Sequence, residues 1–215
     1  VGFINTLAGG GSVISLSLLL ILGLPATIAN GTNRVSAFFQ TSSSVITFWR
    51  KGLFINRKIW WLVIPASLGA IVGAWVATGL KSATLEIAMV IIMALMLVFL
   101  FARPSTWMRE NTKMLDKPIK WWQIILFLVV GWYAGFLQVG VGYLLLMALV
   151  LGVGFEIVKA NAVINLIILF SAAVSLVVFV FSDQINYLYG LLLSVGSVFG
   201  AYIGSVMAVK KGGRF

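Results

Sequence analysis

A glycine-rich interruption at residues 2–11, GFINTLAGGG, decides the fold of this chain. It breaks a sequence that otherwise reads as almost continuous apolar helix. A degenerate second copy, GFLQVGVG, follows at residues 135–142. Glycine has no Cβ and adopts backbone conformations that interrupt a helix, so each copy predicts a bend between two helical arms. These two breaks define the architecture that we predict.

The composition indicates a membrane protein. The 215 residues are 61% hydrophobic and 9% charged, whereas about 25% of the residues in a soluble domain are charged. Several apolar stretches approach or exceed the roughly 20 residues that a helix needs to cross about 30 Å of hydrocarbon. We therefore predict an all-α integral membrane protein that crosses the bilayer several times.

The residue types also exclude several kinds of chemistry. Cysteine and histidine are both absent, which excludes disulfides, Cys or His nucleophiles, zinc sites and imidazole proton relays. The five acidic residues lie at or near predicted helix ends or in loops, which argues against a cation site or a buried carboxylate relay. We predict no enzymatic activity, no cofactor and no metal.

Basic residues outnumber acidic ones by 15 to 5, a balance that in a soluble protein suggests nucleic-acid binding. Here the basic residues lie mostly in short loops, so they indicate how the chain is oriented in the membrane. We therefore expect no nucleic-acid partner. The positive-inside rule places the loops at 50–58 and 103–120, together with the C-terminus, in the cytoplasm.

The apolar segments form two repeats joined by a polar linker. We predict a first transmembrane repeat at residues 1–102, a cytoplasmic linker at 103–120 and a second transmembrane repeat at 121–215. The first residue is valine, so we expect most of one helix to precede it. The predicted helical segments are 12–22, 29–49, 59–80, 84–101, 123–134, 143–151, 160–181 and 187–209.

The loop charges predict that the repeats are inverted. Residues 121 and 209 both lie next to segments that we place in the cytoplasm, so the chain between them must cross the membrane an even number of times. If the second break is a hairpin, the number of crossings is four, whereas a single long helix there would give three. The arm at 12–22 then runs outward and its counterpart at 143–151 runs inward. Inverted repeats built on broken helices are typical of secondary transporters, whose substrate site lies near the midplane.

Small residues recur at intervals of four in the third helix of the first repeat and in the last helix of the second. This spacing lets helix backbones approach closely, so these residues are predicted packing positions. They are Gly69, Gly73, Ala77, Gly196, Gly200 and Gly204.

The predicted substrate site combines the two breaks with nearby polar residues. Unpaired N–H groups at the start of a half-helix attract anions, and Arg34 would add a positive charge. Many N–H and O–H donors without a carboxylate favour a small oxyanion. The candidate substrate-binding residues are Asn5, Thr6, Gly9, Gly10, Gly11, Thr32, Asn33, Arg34, Gln138, Gly140, Gly142, Asn161 and Asn165.

Each of these features also has a structural interpretation. The glycines can serve close helix packing alone, and Arg34 can be an anchor that extends to the membrane interface. The hydroxyl residues between Thr41 and Thr47 are more typical of hydrogen bonds between helices than of substrate contact.

The quoted motifs resemble one known family. Residues 2–11, Gly31-Thr32-Asn33-Arg34 and the Trp-Arg-Lys-Gly stretch at 49–52, with the small-residue helix at the end, are similar to the TauE/SafE sulfite and organosulfonate exporters. The resemblance covers essentially the whole chain and implies an inner-membrane permease for small sulfur oxyanions. The second half departs from the family pattern at Val163, where the family often has lysine.

The leading functional hypothesis is an alternating-access exporter of a small anion, for which the membrane potential alone would be a sufficient driving force. Two alternatives stay open: uptake or exchange of an uncharged or zwitterionic solute, and a non-transporting subunit of a membrane assembly. The expected partners are the anionic substrate and the lipid bilayer. A homodimer is one of the oligomeric states left open.

Overall fold

The computed structural model describes residues 1–54, 57–101 and 119–211, and within these ranges it contains helices and no strands. Most of the predicted linker lies outside the described residues. A 3-10 turn at Arg57–Ile59 precedes the fourth helix, and a π-helical turn at Ala148–Val153 continues the seventh. The helices are α1 (Gly2–Ala8), α2 (Ser12–Ile21), α3 (Ala26–Arg50), α4 (Trp60–Gly79), α5 (Ser82–Phe101), α6 (Trp121–Phe136), α7 (Val141–Met147), α8 (Ile157–Phe181) and α9 (Tyr187–Lys211).

The helices have the length and surface of a membrane protein. Among the described residues, the segments Trp60–Gly79, Ile157–Phe181 and Tyr187–Lys210 are long and apolar enough to cross a bilayer. Large apolar side chains such as Trp75, Leu191 and Phe199 are more than half exposed. Because such a surface would be unfavourable in water, it indicates contact with lipid. The predicted all-α membrane class is confirmed.

Both glycine stretches interrupt a helix as predicted. The first helix ends at Gly9, whose φ of 70° is in the left-handed region that favours glycine. In the second stretch Gly140, with a φ of 66°, is the residue immediately before α7. Gln138 also has a positive φ, of 54°.

The second broken element is a hairpin. The side-chain amide of Gln123, near the start of α6, donates a 2.7 Å hydrogen bond to the carbonyl oxygen of Gly152. Trp122 also lies against Gly152, with ring carbon Cη2 3.6 Å from the position of a Cβ on that glycine. The chain therefore runs along α6 to the break and returns to its starting level through α7 and the π-helical turn.

Glycines bring two pairs of helices into backbone contact. Gly69 and Gly73 of α4 lie against the carbonyl groups of Leu128 and Trp132 in α6, and α1 contacts α9 through Gly2 and Ser197. A Cβ at any of these glycines would overlap the opposite backbone. The predicted packing role of Gly69 and Gly73 is confirmed.

The packing predictions hold for the other small residues except one. Ala77 is fully buried, and Gly200 and Gly204 lie against Phe3. At Gly196, a Cβ would meet nothing within 4 Å among the described residues, so the predicted packing is not observed there.

Two helices cross the centre in opposite directions. The Phe48 side chain near the end of α3 packs in one cluster with Ala162 near the start of α8. Arg34, earlier in α3, lies over the ring of Phe179 near the end of α8. Ala208 of α9 joins the Phe48 cluster, so Arg50, Lys159 and Lys210 share one end of the bundle, which we call the basic end. The opposite end, at residues 182–186, is the Asp183 end.

Several helix boundaries differ from the prediction. The third helix begins at Ala26, because Pro25 provides the extended N-cap and the Ala26 N–H donates to Ser82 Oγ at 2.8 Å. The eighth helix begins at Ile157 after the extended residue Glu156. Gly152 was predicted to lie in a turn, but it belongs to the π-helical turn that Gly154 ends with a φ of 92°. Tertiary contacts and wider helical turns are not visible in local patterns of hydrophobicity.

Candidate functional site

The two glycine breaks meet in the centre of the protein. A Cβ on Gly9 would overlap the Cα of Gly142, and a Cβ on Gly142 would overlap the Cα of Gly9. The two backbones therefore touch directly, at a place where no side chain larger than hydrogen fits. Irregular backbone at membrane depth is tolerated only where protein or a polar cavity surrounds it.

A small cavity lies beside this contact. Its volume is ≈ 10 Å³, measured as the space open to the centre of a water-sized sphere, and this is about enough for one water molecule. Within the described residues, its lining carries no charged side chain. The lining residues are Asn5, Gly9, Ser12, Gln40, Thr41, Gln138, Val141, Gly142, Asn165 and Ile168.

The cavity is rich in amide groups that retain hydrogen-bonding capacity. Gln40 and Gln138 are almost fully buried, yet Oε1 of each has no hydrogen-bond partner among the described residues. Asn165 Nδ2 donates to the carbonyl oxygen of Asn161 at 2.8 Å. Asn5 Oδ1 accepts the Ser12 N–H at 3.0 Å. An Asn or Gln side chain has both an acceptor oxygen and two N–H donors, so the lining can serve a polar solute.

Two helices start at the cavity. The first residue of α2 is Ser12 and that of α7 is Val141, and both contribute to the lining. The positive ends of the two helix dipoles therefore converge on this space. The first N–H groups of α2 are already occupied, however, because Ser12 donates to Asn5 and Ile14 donates to the Gly11 carbonyl at 3.1 Å. At this helix start, the dipole rather than free N–H groups would favour an anion.

The structure brings some of the predicted site residues together and separates others. Five of them line the cavity: Asn5, Gly9, Gln138, Gly142 and Asn165. The remaining eight do not line it: Thr6, Gly10, Gly11, Thr32, Asn33, Arg34, Gly140 and Asn161.

Four of the eight residues away from the cavity support its walls. Gly10 lies against the Tyr143 ring and Gly11 against the Asn5 side chain. Thr6 Oγ1 lies 2.8 Å from Ser44 Oγ, and Asn33 Oδ1 accepts a 2.6 Å hydrogen bond from Ser15 Oγ. These residues join the first broken element to its neighbouring helices.

Two other residues act at the ends of elements. Thr32 Oγ1 accepts the N–H of Asn186 at 2.9 Å, which attaches the 182–186 loop to α3. Gly140 supplies the left-handed residue before α7. Asn161 lies one helical turn before Asn165 and accepts the hydrogen bond of its amide.

Arg34 caps the end of a broken helix. Its side chain is fully buried, so the interpretation as an interfacial anchor is wrong. The guanidinium donates to the carbonyl oxygens of Ala134 and Gly135, the latter at 2.8 Å. Asn30 Nδ2 donates to the next carbonyl, that of Phe136, also at 2.8 Å. The last carbonyls of a helix lack intrahelical partners and carry partial negative charge, which this cation on α3 matches.

Sequence reasoning missed Ser12, Gln40, Thr41, Val141 and Ile168 as lining residues. Gln40 carried a usable signal, because a glutamine within an apolar membrane helix must face protein or water. The apolar Val141 and Ile168 carried none. The hydroxyl run at Thr41–Thr47 serves several roles: Thr41 lines the cavity and also bonds to Ala37 of its own helix, while Ser43 donates to the Val198 carbonyl on α9.

Comparisons with known proteins agree with this architecture. The family described as Sulfite exporter TauE/SafE matches residues 1–215. A probable membrane transporter protein of Haemophilus influenzae is 31% identical over 211 residues, covering 98% of this chain and 82% of that protein. The probable membrane transporter protein ORF9 of Sinorhizobium sp is 25% identical over 213 residues, covering 99% and 81% of the two chains.

The probable membrane transporter protein YfcA of Escherichia coli is 26% identical over 212 residues, covering 98% of this chain and 78% of that protein. No solved structure matches the chain significantly. The family match and the relatives, together with the apolar helices, identify a membrane transporter. The chain belongs to the sulfite exporter TauE/SafE family.

Proposed function

We propose that this transporter exports a small oxyanion, such as sulfite or an organosulfonate, by alternating access. The observation that carries the proposal is the meeting of two broken helices at Gly9 and Gly142, beside a cavity lined by amides. Secondary transporters bind their substrates where two broken helices converge near the membrane midplane. The name of the family supplies the sulfite class of substrate.

Electrostatics support an anion. The helix starts at Ser12 and Val141 present positive dipole ends to the cavity. The amides of Gln40 and Gln138 add N–H donors. Because no carboxylate lines the cavity within the described residues, an anion would meet no like charge there.

The cavity volume supports a site that changes shape during transport. Space for about one water is too small for sulfite, which has four heavy atoms. Binding therefore requires the helices around the cavity to move apart. A site that is contracted around its centre is consistent with alternating access.

The packing of the helices supports inverted repeats. In this proposal α1 to α4 correspond to α6 to α9 with opposite membrane orientation. The first arm of each repeat then packs on the fourth helix of the other, since α1 contacts α9 and α6 contacts α4. The corresponding helices α3 and α8 run antiparallel at the centre, as inversion requires.

The charge distribution supports a cytoplasmic basic end in the cell inner membrane. Arg50, Lys159 and Lys210 share this end, while Asp183 lies at the other. In that orientation, a monovalent anion leaving an inside-negative cell gains about 2.3 kcal/mol per 100 mV. Export could then be driven by the potential alone.

Reconstitution into proteoliposomes tests the proposal. Sulfite or taurine is loaded inside, a potassium diffusion potential is imposed, and efflux is measured in both polarities. We expect sulfite efflux to accelerate when the interior is negative. A sulfite flux that does not depend on the membrane potential, or no flux of any small oxyanion, would contradict electrogenic anion export.

The uncharged lining favours a second candidate, an uncharged or zwitterionic solute. Taurine is zwitterionic near neutral pH, whereas sulfite is anionic, so the two substrates separate these alternatives in one assay. Taurine flux without charge movement, together with no sulfite flux, would favour the second candidate.

A further inference from the structure

Buried polar atoms without partners lie mostly on one side of the cavity. Gln40 and Gln138 lie at the cavity itself. The other such side-chain atoms among the described residues are Asn33 Nδ2, Arg34 Nε, Ser171 Oγ and Gln184 Oε1.

Their positions follow from the packing of α3 and α8. Arg34 lies beside Phe179, and the Gln184 carbonyl lies against Gly31. Ser171 follows the cavity residue Ile168 by about one helical turn toward Phe179. Asn33, Arg34 and Ser171 therefore lie between the cavity and the Asp183 end, and Gln184 lies at that end.

Three of the elements that line the cavity continue toward the Asp183 end with polar side chains. On α2, Ser12 at the cavity is followed by Ser15, which donates to Asn33. On α8, Ser171 follows the cavity residue Ile168 by three residues, a spacing that keeps two side chains on one helix face, whereas Ser175 donates to the Ala70 carbonyl of α4 at 3.4 Å. On α3, Gln40 is followed toward the helix start by Asn33 and Arg34.

The half toward the basic end is different. Its buried hydroxyls have partners, since Thr6 pairs with Ser44 and Thr47 donates to the Ser43 carbonyl at 2.9 Å. An apolar cluster then follows, in which Phe48, Ala162 and Ala208 are buried against each other. These buried hydroxyls therefore already have hydrogen-bond partners.

A buried polar group without a partner is unfavourable, so a row of such groups is expected to gain water or a ligand in another conformation. We propose that the polar side chains of α2, α3 and α8 between the cavity and the 182–186 loop mark the outward half of the substrate pathway. This inference rests on the proposed transport function and extends it. Arg34 gives the pathway a positive charge suited to an anion.

The 182–186 loop closes the end of this pathway. The loop is held to α3 by the backbone N–H of Asn186, which donates to Thr32 Oγ1, and to α4 by the Gln184 side chain, whose Nε2 donates to the Thr78 carbonyl at 3.1 Å. The loop also contacts Gly31, where a Cβ would overlap the Gln184 carbonyl. Outward opening therefore requires this loop to separate from α3.

Cysteine accessibility tests the pathway, because the chain has no cysteine of its own. Ser171→Cys and Ser15→Cys are made singly, with Ala162→Cys in the apolar cluster as the matched buried control. The full-length variants are reconstituted in liposomes and exposed to a membrane-impermeant, anionic methanethiosulfonate. Asp183→Cys and Lys51→Cys mark the two faces of the membrane, so sidedness is measured and not assumed.

We expect Ser171→Cys to react from the Asp183 face about tenfold or more faster than Ala162→Cys, since labelling follows the population of the open state, commonly about 0.1–10%. Saturating sulfite should slow the reaction. Ser15→Cys should show the same labelling and the same protection by sulfite. If Ser171→Cys does not elute as a single species in size-exclusion chromatography, Ser15→Cys is used in its place.

Labelling no faster than at Ala162→Cys, or labelling only from the Lys51 face, would overturn the pathway even if sulfite is transported. Labelling from the Asp183 face without sulfite transport or protection would retain the pathway and contradict the proposed substrate.

Discussion

Gly9 and Gly142, which lie in different halves of the chain, touch through their backbones at the centre of the protein. Each belongs to a glycine break, and the cavity lies beside their contact. The contact explains why both breaks need glycine at these positions: a single methyl group on either residue would push the two broken elements apart.

We predict that Gly142→Ala destabilises the protein and abolishes transport. The new Cβ would overlap the Gly9 backbone, and overpacking of this kind costs about 1–3 kcal/mol. Thermal unfolding in detergent and sulfite flux in liposomes measure the two effects. Gly196→Ala is the matched control, since a Cβ there meets nothing within 4 Å; equal behaviour of the two variants would refute the contact.

Gln40→Leu is expected to separate stability from transport. The substitution removes a buried amide oxygen that has no partner, so the melting temperature should stay constant or rise. Flux should fall by about tenfold or more, because a hydrogen bond to a charged group is worth about 1.5–3 kcal/mol. Unchanged flux in a folded Gln40→Leu variant would remove this residue from the substrate site.

Gln123→Leu should lower the melting temperature, in contrast to Gln40→Leu. Gln123 joins the two ends of the second hairpin through Gly152 and also accepts the Lys120 N–H at 2.7 Å. Loss of both hydrogen bonds leaves a carbonyl without its partner, at a cost of about 1–3 kcal/mol. A melting temperature equal to that of the wild type would show that the hairpin does not depend on this link.

Substitutions of Arg34 test its capping role. Arg34→Met leaves the Ala134 and Gly135 carbonyls without these donors, which should cost about 1–3 kcal/mol for each group. Arg34→Lys keeps the charge but not the planar fork of donors, so it should recover only part of the stability. Both are compared by thermal unfolding.

Lys159→Met is the control for loss of positive charge. Lys159 is partly exposed and forms a 3.2 Å ion pair with Glu156, a surface interaction worth about 0–1 kcal/mol. If Arg34→Met were as stable as Lys159→Met, the carbonyl cap would contribute little to the fold.

Local sequence features predicted much of the fold. The glycine stretches at 2–11 and 135–142 predicted the breaks, because the backbone conformations open to glycine depend on the residue itself and not on its distant neighbours. The glycines at 69 and 73 marked a packing stripe because helical spacing alone places them on one face. At Gly196 the same spacing did not lead to a packing contact among the described residues.

The site was less predictable than the fold. Asn5, Gln138 and Asn165 were identified as polar groups near the breaks, and they do line the cavity. Arg34 was grouped with them because it follows Thr32 and Asn33 in sequence. Its bonds to Ala134 and Gly135 depend on how α3 faces α6, a relationship between residues about 100 positions apart.

By itself, the sequence determined the membrane class, the positions of the two breaks and the polar character of α3, because hydropathy and glycine conformation are local properties. Only the tertiary structure decided that Gly9 meets Gly142, that Gln40 lines the cavity and that Arg34 caps α6. These outcomes depend on the rotation and depth of each helix against its neighbours, which packing across the whole chain determines.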